Sequence, residues 1–138
     1  MLNCFSISLD KLEHGWAYLT ISDDKQSINY IVSFIGKDVL EELINSAIRL
    51  LHQQNSVISF LLEPEVITCK VEFISDNDFK LIIEDLTFND SVNRYVRQIL
   101  NMFDKYAYTH NEDEYLEQWE HTFPRKQLEN LRAYFNVL

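Results

Sequence analysis

The sequence has little of what interrupts regular structure. Two glycines and two prolines in 138 residues exclude a glycine-rich phosphate loop, a flexible linker and a collagen-like or low-complexity tract. With only two cysteines and no Cys-x-x-Cys, a disulfide scaffold and a cysteine-rich zinc module are excluded as well. No window approaches the roughly 18 uninterrupted apolar residues of a transmembrane helix. Met1 to Asp10 offers neither a basic leader nor a continuous apolar region, so no signal peptide is read there. Two reduced thiols in a cytoplasmic protein are therefore the expectation.

Positive charge is scarce too. Lys and Arg number 12 against 22 Asp and Glu, a formal charge of −10 and a pI near 4.7. A polyanion would be repelled, which makes nucleic acid and anionic membranes poor partners. No serine sits in a Gly-x-Ser-x-Gly turn, so the hydrolase elbow is absent.

What is present is a foldable chain. Hydrophobic residues make up 46% and aromatics 13%, enough for one core, and 138 residues suit a single domain. The first third shows three strand patterns: Asn3 to Leu9, with Phe5, Ile7 and Leu9 on one face; Trp16 to Ser22 after Gly15; and Ser27 to Ile35 after a polar turn. The second and third are apolar on both sides, which predicts that both faces of the sheet centre are covered.

At Gly36 the period lengthens: Leu40, Leu43, Ile44, Ala47 and Leu51 recur at helical spacing, opposite Glu41, Glu42, Asn45 and Arg49. Asp38 with Glu41 three residues on marks the start. Strand patterns return at Val57 to Glu63, Val66 to Ile74 and Phe79 to Leu86. From Asp90 onward everything reads as helix: one running to Tyr106 and capped by Asn89 or Asp90, a short acidic one opened by Asn111, and a last one begun by Pro124. The expected fold is a single α+β domain over 1–138, with strands and one helix in 1–89 and a helical part in 90–138. Its antiparallel sheet has about six strands in β-β-β-α-β-β-β order, and the C-terminal helices pack on it.

Few residues suggest chemistry. His110 with Glu114, and Glu117 with His121, stand four apart, the spacing with which one helix face can hold a metal, yet no third ligand follows at a diagnostic interval. Cys4 and Cys69 lie in strand patterns of an acidic chain, which raises a thiol pKa rather than activating a nucleophile. Asp23 with Asp24, and Asp76 with Asp78, fall in turns, and Glu41 with Glu42 open a helix, so none forms a buried acid and base couple. No metal, no cofactor and no catalytic residue is assigned, and an enzyme is not expected.

The stretch Asp104 to Glu120 stands apart. Six acids (Asp104, Glu112, Asp113, Glu114, Glu117, Glu120) face one base (Lys105) and are interleaved with Tyr106, Tyr108, Tyr115 and Trp119. Tyr and Trp are favoured at interface hot spots, and carboxylates around them steer a basic partner. Tyr108, Asp113, Glu114, Tyr115, Glu117 and Trp119 are the expected contacts, with Asp23, Asp24, Asp76 and Asp78 as a second acidic rim. The competing expectation is an ordinary acidic helix whose aromatics turn inward.

Phe5-Ser6-Ile7, Glu13-His14-Gly15-Trp16-Ala17, Tyr30-Ile31-Val32-Ser33 and the helix Leu40 to Leu51 together resemble a group of small uncharacterised bacterial proteins with a Gly-Trp-Ala lead-in to a strand. The likeness covers roughly residues 3 to 85. In build and charge the chain is also similar to the immunity proteins that accompany polymorphic or contact-dependent toxins. That likeness implies a cytoplasmic inhibitor which covers a basic toxin domain. Two other classes compete. A ligand-binding or enzymatic domain would need a crevice of several hundred Å³ between sheet and helices, around His14, Tyr18 or Tyr30. A homo-oligomeric subunit would expose Leu131, Tyr134, Phe135 and Leu138 on the last helix.

Overall fold

The computed structural model describes residues 4–137. Asn3 and Leu138, to which the sequence reading gave a strand start and an exposed apolar end, lie outside that range. The fold is α+β, as expected, but among the described residues the strands number seven and divide into two antiparallel sheets. The first holds β1 (Ser6–Glu13), β2 (Trp16–Ser22) and β3 (Ser27–Ser33). The second holds β4 (Ser56–Leu61), β5 (Val66–Ser75), β6 (Asp78–Ile83) and β7 (Leu86–Ser91). Every strand pairs with its neighbour in sequence, and β3 and β4 form no ladder with each other.

Two local events replace the single six-stranded sheet. After β3 the chain leaves the sheet through Gly36 (φ +82°) into a helix, and it returns as the edge of a new sheet. The apolar run Phe79 to Leu86, read as one strand, is broken by a two-residue turn at Glu84-Asp85, where Ile83 pairs with Leu86. Glu84 takes the turn at φ 52°, a left-handed conformation normally signalled by Asn or Gly. The segment assigned to a helix cap at Asn89 or Asp90 thereby becomes β7.

Helix α1 (Val39–Leu51) begins where the sequence placed it. Asp38 Oδ1 accepts from the backbone N–H groups of Leu40 at 3.1 Å and Glu41 at 3.3 Å, satisfying amides that the first turn leaves open. Helix α2 (Val92–Thr109) is capped by Ser91, whose Oγ accepts from Arg94 N at 3.1 Å. Helix α3 (Glu112–Trp119) opens with a full capping box, Glu114 N to Asn111 Oδ1 at 2.8 Å and Asn111 N to Glu114 Oε1 at 3.0 Å. Helix α4 (Arg125–Val137) starts one residue after Pro124. None of the described helices is long and apolar enough to cross a membrane.

The inner faces of the sheets and the helices share one core. Phe5 reaches across it, with ring centroids 5.2 Å from Phe79, 5.9 Å from Phe88 and 5.7 Å from Tyr95. Tyr30 of β3 meets Phe60 of β4 at 5.7 Å. Each fully buried side chain of this size contributes about 1.5–3 kcal/mol relative to exposure. α1 and α2 are joined inside by the Ser46 and Tyr95 hydroxyls at 2.8 Å. Cys69 is buried, Cys4 exposed, and no disulfide links them.

One expectation about the first sheet fails. Its inner face is covered, but Ile31 on the outer face is 47% exposed, and its neighbours there are polar. Lys11 Nζ lies 5.5 Å from the Tyr18 ring, Thr20 Oγ1 donates to Asn29 Oδ1 at 2.9 Å, and Thr20 also bonds Asp10. Trp16, Tyr18 and Thr20 on this face are half-buried, so it is only partly covered.

Candidate functional site

The acidic stretch forms a corner where α2 ends and α3 begins. Tyr108, in the last turn of α2, is 90% exposed, and Leu116 of α3 is 48% exposed. Asp113, Glu114, Glu117 and Glu120 are exposed around α3. Tyr115 and Trp119, expected as contacts, are instead 0% exposed. α3 is amphipathic, and residues 115 and 119, one turn apart, point to the core. Trp119 Nε1 donates to Asp38 Oδ1 at 2.8 Å, which ties α3 to the start of α1. Tyr115 lies edge-on to Tyr106 at 5.5 Å and Phe123 at 5.1 Å. Burial pushes its hydroxyl pKa up, and that hydroxyl has no hydrogen-bond partner.

Two of the six acids are also neutralised from a distance. Glu112 pairs with Arg125 and Asp104 with Arg132, both arginines belonging to α4. The open charge of the corner is therefore that of Asp113, Glu114, Glu117 and Glu120. α3 is further fixed to the β1–β2 turn, where Gly15 N donates to Gln118 O at 2.7 Å and His14 N to Gln118 Oε1 at 3.0 Å.

The second acidic rim does not join this corner. Asp23 builds its own turn, accepting from Lys25 N at 2.8 Å and Gln26 N at 3.0 Å, and Gln26 Nε2 ties that turn to Thr87 O of β7 at 2.8 Å. It lies at the far end of β2 from α3, on the order of 20 Å away for a seven-residue strand. Asp76, in the β5–β6 turn, and Asp78, the first residue of β6, are both exposed, and Val92 N reaches that turn through Asn77 O at 2.6 Å. Both rim turns flank β7, opposite the corner.

The histidine pairs do not share helix faces. His110 is the extended C-cap of α2, stacked on Tyr106 at 4.4 Å, whereas Glu114 is in α3. His121 lies beyond the left-handed cap Glu120, with Nε2 2.8 Å from Phe34 O. Among the described residues, no group of three or more His, Cys, Asp or Glu side chains could hold a metal. The crevice residues also separate: Tyr30 is in the core, 5% exposed, and donates to Glu84 Oε1 at 2.5 Å; Tyr18 is on the outer face; His14 is exposed. Of the apolar face expected on the last helix, Leu131 is 0% exposed and Phe135 packs partly against the core, while Tyr134 is 42% exposed.

A crevice exists elsewhere. A cleft of about 630 Å³ opens between α1, β4 and α4, lined by Lys37, Glu42, Asn45, Arg49, Asn55, Ser56, Gln127, Asn130 and Tyr134, among others. Gln127 bonds Asn45 across it, and Asn130 Nδ2 donates to Gln127 Oε1 at 3.2 Å. Ser56 Oγ is shielded there without a partner. Among the described residues, Lys37 and Arg49 have no carboxylate within ion-pair reach. A second cavity of about 310 Å³ continues from it along β4, bounded by Val32 and Ser33 of β3, Ile35, Val57, Ser59, Leu61 and Val66. Sequence reasoning missed this groove because Asn45 and Arg49 read simply as the solvent side of α1. The one available signal was that Ser56–Leu61 contains no charged residue.

Comparison of the chain with known protein families, curated proteins and solved structures finds no match.

Proposed function

We propose that this protein is a protein-binding module, most concretely an immunity-type inhibitor that neutralises a basic toxin domain by covering it. The observation that carries this reading is the corner of α2 and α3. A tyrosine 90% exposed stands in the last turn of α2, and four carboxylates without a basic partner follow on α3 and its cap, in a molecule of charge −10. An exposed tyrosine supplies rigid contact area at little entropic cost, and the carboxylates gather and orient a cationic partner. Trp119 and Tyr115 serve from below, as anchors that hold α3 in one place, so the surface is preorganised. Asp113, Glu114 and Glu117 are the first contacts on this reading, and Asp23, Asp24, Asp76 and Asp78 meet other parts of a large partner or none.

The test is co-expression with the product of the adjoining reading frame, if it encodes a basic toxin domain, followed by stopped-flow association across a salt series. Association should slow as salt shortens the screening length below the physiological ~8 Å. Glu117→Lys should lower the on-rate, and Tyr108→Ala should raise the off-rate. An association rate indifferent to salt and to Glu117→Lys would remove the proposal. The polar cleft along α1 favours a second reading, a domain that binds a ligand there.

A further inference from the structure

Of the four free sheet edges, two carry features that discourage pairing with another chain. β1 bears Asp10, Lys11 and Glu13 and a register shift between Leu9 and Lys11. The β7 edge bears Asp90, which accepts from Phe5 N at 2.9 Å. Charged residues, bulges and covering contacts of this sort are how proteins blunt an edge. β3 (Ser27–Ser33) and β4 (Ser56–Leu61) have no charged residue and no proline. These two edges touch through Tyr30 and Phe60 without pairing, and the groove opens beside that contact and runs along β4 past α1.

From this we infer that the groove along β4 binds an extended peptide segment of a partner protein by strand addition, with acidic side chains of the segment meeting Lys37 at one end of α1 and Arg49 at the other. Three independent features point to that occupant. The edge of β4 offers the unpaired N–H and C=O groups that main-chain recognition uses. Next to it the ~310 Å³ cavity is walled by apolar side chains, with Ile35 50%, Val57 64% and Val66 57% exposed, which suits alternate apolar residues of a strand. The ~630 Å³ cleft places two cations without ion-pair partners against the single carboxylate of Glu42, a local charge opposite in sign to the molecule's −10. Glu42, Lys37 and Val57 border both cavities, so one chain can occupy the two together. The inference does not depend on the α2–α3 corner being a contact.

A phage-displayed library of random linear octapeptides supplies the probe. Enriched sequences should alternate apolar and polar residues and carry Asp or Glu at polar positions, and the synthetic peptide should shift amide resonances of Asn55 to Leu61, Lys37 and Arg49. Arg49→Glu and Lys37→Glu, both at exposed positions, should weaken it about tenfold or more. Backbone N-methylation of the peptide should abolish binding, while Tyr108→Ala and Glu117→Lys should leave it unchanged. No enrichment, full binding by the N-methylated peptide, or resonance shifts confined to the α2–α3 corner or the outer face of the first sheet would each overturn the inference. So would tight binding of a free small carboxylate in the cleft with no response to linear peptides. A concentration-dependent dimer dissolved by Val57→Lys would overturn it in favour of a second copy of this chain.

Discussion

Asp38 joins two helices through one oxygen, and its removal gives a quantitative test of the structure. Its Oδ1 accepts from Leu40 N, Glu41 N and Trp119 Nε1. Asp38→Ala forfeits the α1 cap, worth about 1 kcal/mol, and leaves the indole N–H of a fully buried tryptophan without an acceptor, a further ~1–3 kcal/mol. The expected loss is about 2–4 kcal/mol, read from urea unfolding followed by far-UV circular dichroism. Asp38→Asn keeps an acceptor oxygen and should recover most of it. Trp119→Phe removes the donor, so in the double variant Asp38→Ala no longer strands anything. The two changes should couple by about 1–2 kcal/mol. Strict additivity of the single variants, or a loss below about 0.5 kcal/mol for Asp38→Ala, would refute the shared-acceptor account.

Three further outcomes are expected. Tyr115→Phe removes a buried hydroxyl that lacks a partner and should be neutral or stabilising by up to about 1 kcal/mol, whereas Tyr95→Phe breaks the bond to Ser46 and should cost about 1–2 kcal/mol in the same unfolding assay; the reverse order would contradict the placement of both rings. Gly15→Ala brings a Cβ to 2.5 Å from Phe34 Cδ1 at φ +81°, whereas at Gly36 (φ +82°) nothing lies within 4 Å, so the first should cost about 1 kcal/mol or more beyond the second, and equal melting temperatures would count against that close contact. Burial raises the pKa of Tyr30, Tyr95, Tyr106 and Tyr115 and takes the Cys69 thiol up to about 12. The unfolded chain releases these protons first, near pH 8.5 for Cys and about 10 for Tyr, so the folded state binds more protons and stability should fall as pH rises through that window. Denaturation midpoints that stay level from neutral pH to above pH ~10 would show that these groups are not buried.

Much of the fold was legible where one local cause decides the structure. Asp38 with Glu41, Asn111 before its run of acids and the change of period after Gly36 marked helix starts correctly, because capping needs only neighbours in sequence. Ile83 and Leu86 misled because both are apolar and the turn between them uses Glu and Asp in place of Asn and Gly. The division into two sheets was hidden for another reason: strand patterns say which face is apolar and not which edge finds a partner. At the candidate site, counting acids from Asp104 to Glu120 ignored Arg125 and Arg132, which arrive from α4. Tyr115 and Trp119 share one stripe with helical spacing, and that spacing was itself a sign that they face inward. The groove along β4 is built from α1, β4 and α4 together, so no single window of sequence contained it.

The neighbour-to-neighbour pairing of the strands also bears on the order in which the protein is made. Hairpins β2–β3, β4–β5 and β6–β7 can each close as soon as their residues leave the ribosome, since only short loops must be ordered. The ring of Phe5 has its partners at Phe79, Phe88 and Tyr95, and its backbone is held by Asp90 and Arg94. Phe5 is synthesised before all of these partners and docks only when they have followed, and pulsed hydrogen exchange during refolding should find the Phe5 amide protected after those of β2 and β3. Until α2 has emerged, the nascent chain keeps the Phe5 end of β1 undocked.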